Sequence, residues 1–363
     1  MGQSNAVLWG GVGRRGGDVM TAAARDAVFR LQRWRRQHQL MARDPLALDP
    51  RIEPRATELQ FAHVYVADRG ETARWLTSAA YTGEASKQDP IDLCHLATDH
   101  FHSFLESGEA LARDRFLTIS GVLLEMGRVV MLEGRRCFVM PHFDQVEGYE
   151  RHATPWVNAM VQGWLGAVLM RAHQLTGEPR YRDAAIGAVG PCFVAVERGG
   201  VRDTEVNGRL FYEKYAFPGQ TRHVLNGFMS ALLGLWDVAR STGDADAHRA
   251  FEEGVATLDD TVLGTYDNGH TSLYDQHPDR RATPACVFYT WTHARQLASL
   301  ARITGERRLL EWAGRWYVYN RSLGHRTATT LECVGYRARS LPRYLGKLAP
   351  AGASRDQRPA AGA

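Results

Sequence analysis

The sequence predicts a mainly α-helical protein built as an α/α toroid, an incomplete barrel of about four helical hairpins with short β segments in the loops at one rim. Two observations carry this prediction. A glycine-acid turn recurs four times between helical segments, and the helix before each turn is more apolar than the helix after it. Apolar inner helices surrounded by amphipathic outer helices bury a continuous core, which is the arrangement of a toroid.

The four turns share one pattern, in which Ser or Thr and then Gly are followed by an acidic residue. A glycine just past a helix end adopts the left-handed conformation that closes the helix, and an acidic residue favours the N-terminus of the next helix. Spacings of 62 to 69 residues between the glycines suit helical hairpins joined by long loops. The turns are Ser107-Gly108-Glu109, Thr176-Gly177-Glu178, Thr242-Gly243-Asp244 and Thr304-Gly305-Glu306.

The two helices of a hairpin differ in polarity. Residues 157–175 are apolar almost all the way round, which predicts a buried inner helix, whereas residues 245–260 carry charge on one side. The loops between hairpins then gather at one rim, where function is expected. Those loops are residues 142–155, the stretch from residue 210 to the third inner helix, and residues 265–285, with β-like runs such as "RCFVM" at 136–140.

Composition indicates a soluble globular protein. The hydrophobic fraction is 44%, the charged fraction is 23%, and the net charge of +4 is too small for 363 residues to predict nucleic-acid binding. Five scattered cysteines without metal-like spacing indicate reduced, mostly buried thiols. With no signal core and no membrane-spanning run, we expect a cytoplasmic location.

Three regions are expected along the chain. Residues 1–58 form an Arg-rich, partly helical N-terminal arm, residues 59–345 the catalytic toroid, and residues 346–363 a disordered C-terminal tail. The arm contains "GVGRRG" at 11–16, which fits GxGxxG, but neither a second strand nor an acidic residue follows as a dinucleotide site requires. We interpret this motif as part of a flexible arm.

Three of the predicted inner helices begin with polar residues four apart. This spacing puts both members of a pair on one helix face, near the rim. One interpretation is polar capping within the helical core, and the other is a polar pocket for an anionic ligand at positive helix N-termini. The pairs are Asn158 and Gln162, Asn226 and Ser230, and Tyr289 and His293.

Several motifs occur in the order found in one known family. They are "TPWVNAMVQGWLGAVLMRAHQLTGEPRYRDAA", "YEKYAFP", "HVLNGFMSALLGLWD", "SLYD" and "FYTWTHARQL", spread over about residues 150–320. In these motifs the chain resembles the C-terminal domain of D-glucuronyl C5-epimerases. The resemblance implies an α/α barrel, inversion of D-glucuronate to L-iduronate at C5, a substrate that is a glucuronate-containing glycan or small glucuronide, and pairing into a homodimer.

The resemblance also implies site residues. Three tyrosines line the family's site, and Asn226, Gln162 and His293 match further family positions. The chain departs from the family at Lys214, where a carboxylate is expected and Glu213 stands one position earlier, and after "YD", where Gln276-His277 replaces an arginine that Arg280 or Arg281 could supply. The catalytic candidates are Tyr215, Tyr274, Tyr289, Glu213 and Lys214; the substrate-binding candidates are Asn158, Gln162, Asn226, Asp275, His277, His293 and Arg280.

These residue types suit the chemistry. Inversion at C5 removes a proton alpha to a carboxylate and returns one on the opposite face, so two acid/base groups and donors to the carboxylate are needed. Lys214, one of three lysines in the chain, would neutralise the substrate carboxylate or activate a tyrosine; the alternative is a solvent-facing loop lysine. The chemistry needs no cofactor. His95 and Asp99 could bind a metal, but a polar helix face fits them better, and we expect no metal site.

Other functions remain open at this point. A polysaccharide lyase begins with the same proton abstraction and then loses the C4 substituent. A glycoside hydrolase would use two carboxylates, for which Glu213, Asp275 and Asp144 are available. A non-catalytic uronate-binding protein would keep the aromatic residues without an acid/base pair.

Overall fold

The computed structural model describes residue 41 and residues 89–143, 146, 152–204, 208–276 and 281–348. The N-terminal arm with its glycine motif lies outside these ranges, as does the chain after residue 348. The helices are α1 (Pro90–Ser107), α2 (Ala110–Met126), α3 (Ala159–Thr176), α4 (Pro179–Val189), α5 (Leu225–Thr242), α6 (Ala245–Thr257), α7 (Asp260–Thr265), α8 (Val287–Thr304), α9 (Arg307–Arg321) and α10 (Leu323–Leu348). The strands are β1 (Arg128–Leu132), β2 (Arg135–Val139), β3 (Arg202–Thr204) and β4 (Leu210–Tyr212).

All four predicted glycine-acid turns are confirmed. The glycines have φ between 70° and 76°, in the left-handed region, and the acidic residue that follows is the N-cap of the next helix. The hydroxyl before each glycine donates to the carbonyl four residues back and accepts from the N–H two residues on. These two hydrogen bonds explain why Ser or Thr recurs at that place in the turn.

The hairpins form the predicted incomplete toroid. Inner helices α1, α3, α5 and α8 pack against one another in chain order, and α2, α4, α6 and α9 pack outside their partners. Helices α3 and α5 cross through glycines, since a Cβ on Gly234 would lie 2.3 Å from the Gly163 Cα. Only glycine allows backbones to approach so closely, and the crossing brings two inner helices together below the rim.

The β segments lie in the connections between hairpins, as predicted. Strands β1 and β2 form an antiparallel hairpin between α2 and α3, and β2 packs on α4. Strands β3 and β4 pair antiparallel, with Arg202 opposite Tyr212. The chain leaves β4 directly into residues 213–217, so this small sheet places that segment at the rim.

Some boundaries differ from the sequence-based expectation. The predicted outer helix 245–260 ends at Thr257, because the Asp259 side chain accepts the Val262 N–H and starts the separate helix α7. Helix α10, which was not predicted, continues to Leu348, three residues past the expected end of the toroid. The five cysteines carry free thiols, as expected. None of the helices in the described ranges has the length and apolarity needed to cross a bilayer.

Candidate active site

Three tyrosines and a lysine meet at the rim, above the N-termini of α5 and α8. Lys214 Nζ donates a hydrogen bond of 2.8 Å to Tyr274 Oη. The Tyr274 and Tyr289 rings meet edge to face, with centroids 4.8 Å apart. Lys214 Nζ also lies 5.1 Å from the centre of the Tyr215 ring. We call Lys214, Tyr215, Tyr274 and Tyr289 the tyrosine cluster.

Different parts of the chain position these residues. Lys214 and Tyr215 follow β4, and Tyr289 lies in the first turn of α8. Tyr274 is held by its own backbone, whose N–H donates to Thr283 O at 2.7 Å and whose carbonyl accepts the Leu225 N–H at 3.1 Å. The second of these bonds joins Tyr274 to the start of α5, so the cluster forms where two inner helices begin.

Lys214 is not a solvent-facing loop residue. Its side chain is 7% exposed, and its aliphatic stem crosses the first turn of α5 at Gly227. A Cβ on Gly227 would lie 2.6 Å from Lys214 Cβ and 3.2 Å from its Cγ. Gly227 on one side and the rings of Tyr215 and Tyr274 on the other define a lysine slot, which holds the ammonium against Tyr274 Oη.

Tyr274 carries its proton at neutral pH. Burial of its hydroxyl raises the pKa of Tyr274 well above the ordinary value, and the neighbouring Tyr289 and Tyr215 raise it further. The Lys214 ammonium hydrogen bonds to the same oxygen and would stabilise a phenolate formed there. Tyr274 is therefore a neutral phenol, and the Lys214 ammonium is already in position to stabilise the phenolate that forms when Tyr274 gives up its proton.

Two polar side chains on the inner helices each have a buried atom without a hydrogen-bond partner among the described residues. The amide nitrogen of Asn226, which is 6% exposed, contacts the sulfur of Met160 at 3.6 Å, while its Oδ1 has no hydrogen-bond partner among the described residues. His293 is completely buried, with Nδ1 2.8 Å from Ser272 Oγ, and its Nε2 likewise lacks a partner within the described ranges. Burial lowers the pKa of His293 to about 3, so the ring is neutral at physiological pH.

Glu213 lies away from the tyrosine cluster. It is completely buried, and its carboxylate accepts the N–H groups of His223 at 3.0 Å and Arg222 at 3.3 Å. The side chains of His223 and Asp203 lie beside it, and one side-chain oxygen or nitrogen atom from each of the three residues lies within 4.8 Å of the others. Burial raises the pKa of Glu213 to about 7, against the opposing effect of His223. The prediction that Glu213 contacts the substrate is not supported by this placement.

Two other predicted residues, Asp275 and Asn158, have structural contacts. Asp275 is 1% exposed, pairs with Arg222 at 3.0 Å and accepts the Thr283 N–H at 2.8 Å. Asn158 caps α3 by accepting the N–H of Met160.

Gln162 is completely buried, and its amide links the elements of the second hairpin. It accepts from Met140 N and donates to the carbonyls of Phe138 and Ala188, at 2.7 to 2.9 Å. For this pair the contacts fit the capping interpretation, because the Gln162 amide is used within the protein and Asn158 Oδ1 caps α3.

Two further substrate-binding candidates cannot be placed relative to the tyrosine cluster. His277 and Arg280 lie outside the described residues. Arg281 is mostly exposed and pairs with Glu332 at 3.4 Å. His95 packs edge-on against Trp164, with ring centroids 5.2 Å apart.

Sequence reasoning missed Arg222, the partner of Asp275, and the aromatic group around Tyr215. The Trp156 ring lies 5.8 Å from Tyr215 and 5.1 Å from Phe217, and His152 stacks on Phe217 at 3.7 Å. Trp156 and Phe217 fall within the quoted family motifs, so their position was an available signal. Their packing explains how Tyr215 keeps its orientation beside Lys214.

Two known proteins match part of this chain. A protein 32% identical over 165 residues is an uncharacterized protein of Methanocaldococcus jannaschii, matched over 44% of this chain and 51% of that protein. The D-glucuronyl C5-epimerase of Caenorhabditis elegans is 30% identical over 188 residues, which are 47% of this chain and 30% of the worm protein. The chain thus spans about half the length of the first relative and less than a third of the second.

Solved structures of two unsaturated glucuronyl hydrolases are similar at a low level. The enzyme from Bacillus sp. GL1 gives a TM-score of 0.44 at 14% identity, over 63% of this chain and 61% of that one. A hydrolase specific for heparin gives 0.46 at 12% identity, over 65% and 63%. Such scores carry no argument about function.

The family model for the D-glucuronyl C5-epimerase C-terminus matches residues 136–318, just over half of the chain. This range contains the tyrosine cluster, Asn226 and His293. The chain belongs to the D-glucuronyl C5-epimerase C-terminal domain family.

Proposed function

We propose that this protein inverts C5 of a D-glucuronate unit, giving L-iduronate, by removing the C5 proton and returning a proton on the opposite face. Membership of the epimerase family supports the reaction class. The observation that carries the proposal is the hydrogen bond between Lys214 and Tyr274 inside a group of three tyrosines. It combines a proton carrier with a fixed cation, as proton exchange next to a carboxylate requires.

The reaction balances with these groups. Breaking the C5–H bond leaves its electron pair in an enolate shared between C5 and the carboxylate carbon, and the proton goes to a base on that face. Tyr274 delivers a proton to the other face and becomes a phenolate, which the Lys214 ammonium stabilises. The base is Tyr215 or Tyr289, which has to enter the reaction as a phenolate and leaves it as a phenol. A proton returned from this phenol to the Tyr274 phenolate, directly or through solvent, then restores the starting state.

Lys214 also suits the substrate carboxylate. An ammonium has three N–H donors, so it can hold Tyr274 and a ligand oxygen together. Neither α5 nor α8 has a side-chain cap, so the N-terminal N–H groups of both helices add positive potential near the developing enolate.

Asn226 and His293 suit the sugar hydroxyls. Asn226 Oδ1 is an acceptor, and the neutral His293 ring presents Nε2, whose role depends on its tautomer. A sugar hydroxyl donates and accepts, so it can meet either atom once the side chains that enclose these atoms move aside. Buried polar atoms without a partner are costly, which favours a polar ligand such as a sugar.

Proton NMR in D2O tests the reaction directly. The purified protein is incubated with heparosan oligosaccharides and, separately, with small glucuronides. We expect loss of the C5 proton signal together with new iduronate signals, and the panel ranks glycans against small substrates. An alkene signal would instead identify a lyase, and binding without exchange would identify a non-catalytic uronate-binding protein.

Single tyrosine variants assign the roles. Tyr274→Phe should abolish the formation of iduronate, and the variant of Tyr215 or Tyr289 that abolishes loss of the C5 proton from glucuronate identifies the base. The matched control is Tyr317→Phe on the outer helix α9, which should exchange at the rate of the unmodified protein. Full activity of Tyr274→Phe would refute the proposed acid.

A further inference from the structure

A buried group of three titratable side chains lies beneath the segment that carries Lys214. Glu213 and His223 are almost completely buried, and Asp203 closes the group from β3. His223 Nε2 is 3.2 Å from Asp203 Oδ2 and 3.5 Å from Glu213 Oε1. We call Asp203, Glu213 and His223 the buried triad.

Glu213 ties together the two ends of one loop. Its carboxylate accepts the N–H groups of Arg222 and His223, so residues 214–221 form a closed loop above it. Its backbone is held as well, since its N–H donates to Val201 O at 2.7 Å and its carbonyl accepts the Ala159 N–H at 3.1 Å. The loop therefore has a rigid base.

The lysine slot spans the same two ends. Lys214 follows Glu213 directly, and its stem lies across Gly227, which comes four residues after His223. The hydrogen bonds that Glu213 accepts from Arg222 and His223 therefore tie the end of β4, which carries Lys214, to the segment that leads into α5, on which the Lys214 stem lies.

We propose that the buried triad is a positioning device: the Glu213 carboxylate holds Lys214 in its slot, so that removing the charge of Glu213 displaces the ammonium from Tyr274. In this role Glu213 does not touch the substrate. The proposal rests on the proposed function for its catalytic consequence, although the displacement itself does not need a substrate.

A purely structural link would not need a charged group here. A buried carboxylate costs free energy that a neutral side chain avoids, and burial raises the pKa of Glu213 to about 7. The ionised form, present above that pH, is the stronger acceptor for two N–H groups. The position of Lys214 should therefore depend on pH near neutrality.

Other titratable and charged groups lie around Glu213. His223 and Asp203 face it, Arg222 contacts it through its backbone N–H and is paired with Asp275, and Tyr266 donates to the His223 carbonyl at 2.6 Å. Hydrogen bonding to His223 lowers the pKa of Asp203, so Asp203 stays ionised near neutrality.

The chain offers a direct probe, because Lys87, Lys214 and Lys347 are its three lysines. Full-length protein labelled with ¹³C at lysine Cε gives three NMR signals, and the signal lost in Lys214→Arg belongs to Lys214. We expect the chemical shift of Lys214 to change with pH with a midpoint near pH 7, a change we call the step, while the other two lysine signals show no step there. In Glu213→Gln the step should vanish. It should remain in the matched control Glu253→Gln, since Glu253 is an exposed carboxylate paired with Arg202.

Activity measurements give a second readout. At pH 8, Glu213→Gln should lower kcat/KM at least about tenfold. In a Lys214→Met background the same substitution should lower kcat/KM no further, because a positioning residue acts through the residue it holds. A Lys214 signal without the step, or a step that survives in Glu213→Gln, would overturn the proposal, as would additive losses in the double variant. Absence of turnover on every glucuronide refutes the proposed function alone, since the NMR titration uses no substrate.

Discussion

Gly227→Ala should remove activity while leaving the protein folded. Gly227 lies in the first turn of α5, beneath the stem of Lys214. An added Cβ would lie 2.6 Å from Lys214 Cβ, 3.2 Å from Cγ and 3.3 Å from Cδ. The methyl group therefore occupies the floor of the lysine slot.

The size of the effect follows from these distances. Ordinary contacts begin at 3.4 Å, so the stem of Lys214 has to move by about 0.8 Å at least. Displacement of about 1 Å of a catalytic group can cost about 100-fold in rate. Alanine is favoured over glycine within a helix by up to about 1 kcal/mol, which offsets part of the strain, so the free energy of unfolding should change little.

The assay is the rate of C5 proton exchange in D2O, together with urea unfolding. Gly314→Ala is the matched control, because Gly314 lies within the outer helix α9 and an added Cβ meets no atom within 4 Å. This control should keep full activity. If Gly227→Ala exchanges the C5 proton as fast as the unmodified protein, the position of Lys214 in the slot does not matter for the reaction.

Three further predictions concern single side chains. Lys214→Glu gives this position the carboxylate expected from the family pattern. The variant should lower kcat/KM by about 100-fold or more, because a negative charge then replaces the cation at the substrate carboxylate. Retained activity would exclude Lys214 as a ligand of that carboxylate. Glu213→Gln should be more stable relative to the unmodified protein at pH 8 than at pH 4. Because the pKa of Glu213 is raised, the stability that Glu213 contributes is fully present below pH 4.5 and is lost as the pH rises through about 7, a change of about 3 kcal/mol at most. Thermal unfolding of both proteins at pH 4 and pH 8 checks the sign. An equal difference in stability between variant and unmodified protein at the two pH values would contradict the prediction. Gln162→Leu should lower the free energy of unfolding by about 3 kcal/mol or more, because three buried backbone groups lose their hydrogen-bond partner. A loss below about 1 kcal/mol would show that these backbone groups find other hydrogen-bond partners.

Local chemistry explains what could be predicted of the fold. The four turns were recognisable because each depends on residues within a few positions of the glycine, namely the hydroxyl before it and the acid after it. Helix α10 was not predicted because no glycine-acid turn precedes it. The split between α6 and α7 was missed because Asp259, read as a helical residue, caps a new helix instead.

The candidate site was predicted in part. Tyr215, Tyr274 and Tyr289 were selected by motif, and Lys214 was singled out as unusual in an arginine-rich chain. The roles of their neighbours were not predictable, because they depend on contacts between distant segments. Gln162 and Asn226 both begin inner helices as polar residues, but only Gln162 meets a strand and a helix whose backbone groups satisfy its amide.

The sequence by itself determined the hairpin repeat, the burial of the inner helices and the set of residues able to exchange a proton, since all of these follow from local propensity and residue type. Only the tertiary structure decided which of the two charged residues in "YEKY" faces the site. The backbone bonds of Glu213 turn its carboxylate into the core, and the absence of a side chain at Gly227 lets Lys214 lie across α5 and reach Tyr274. Neither direction is encoded within the motif, because each is set by a backbone that arrives from another part of the chain.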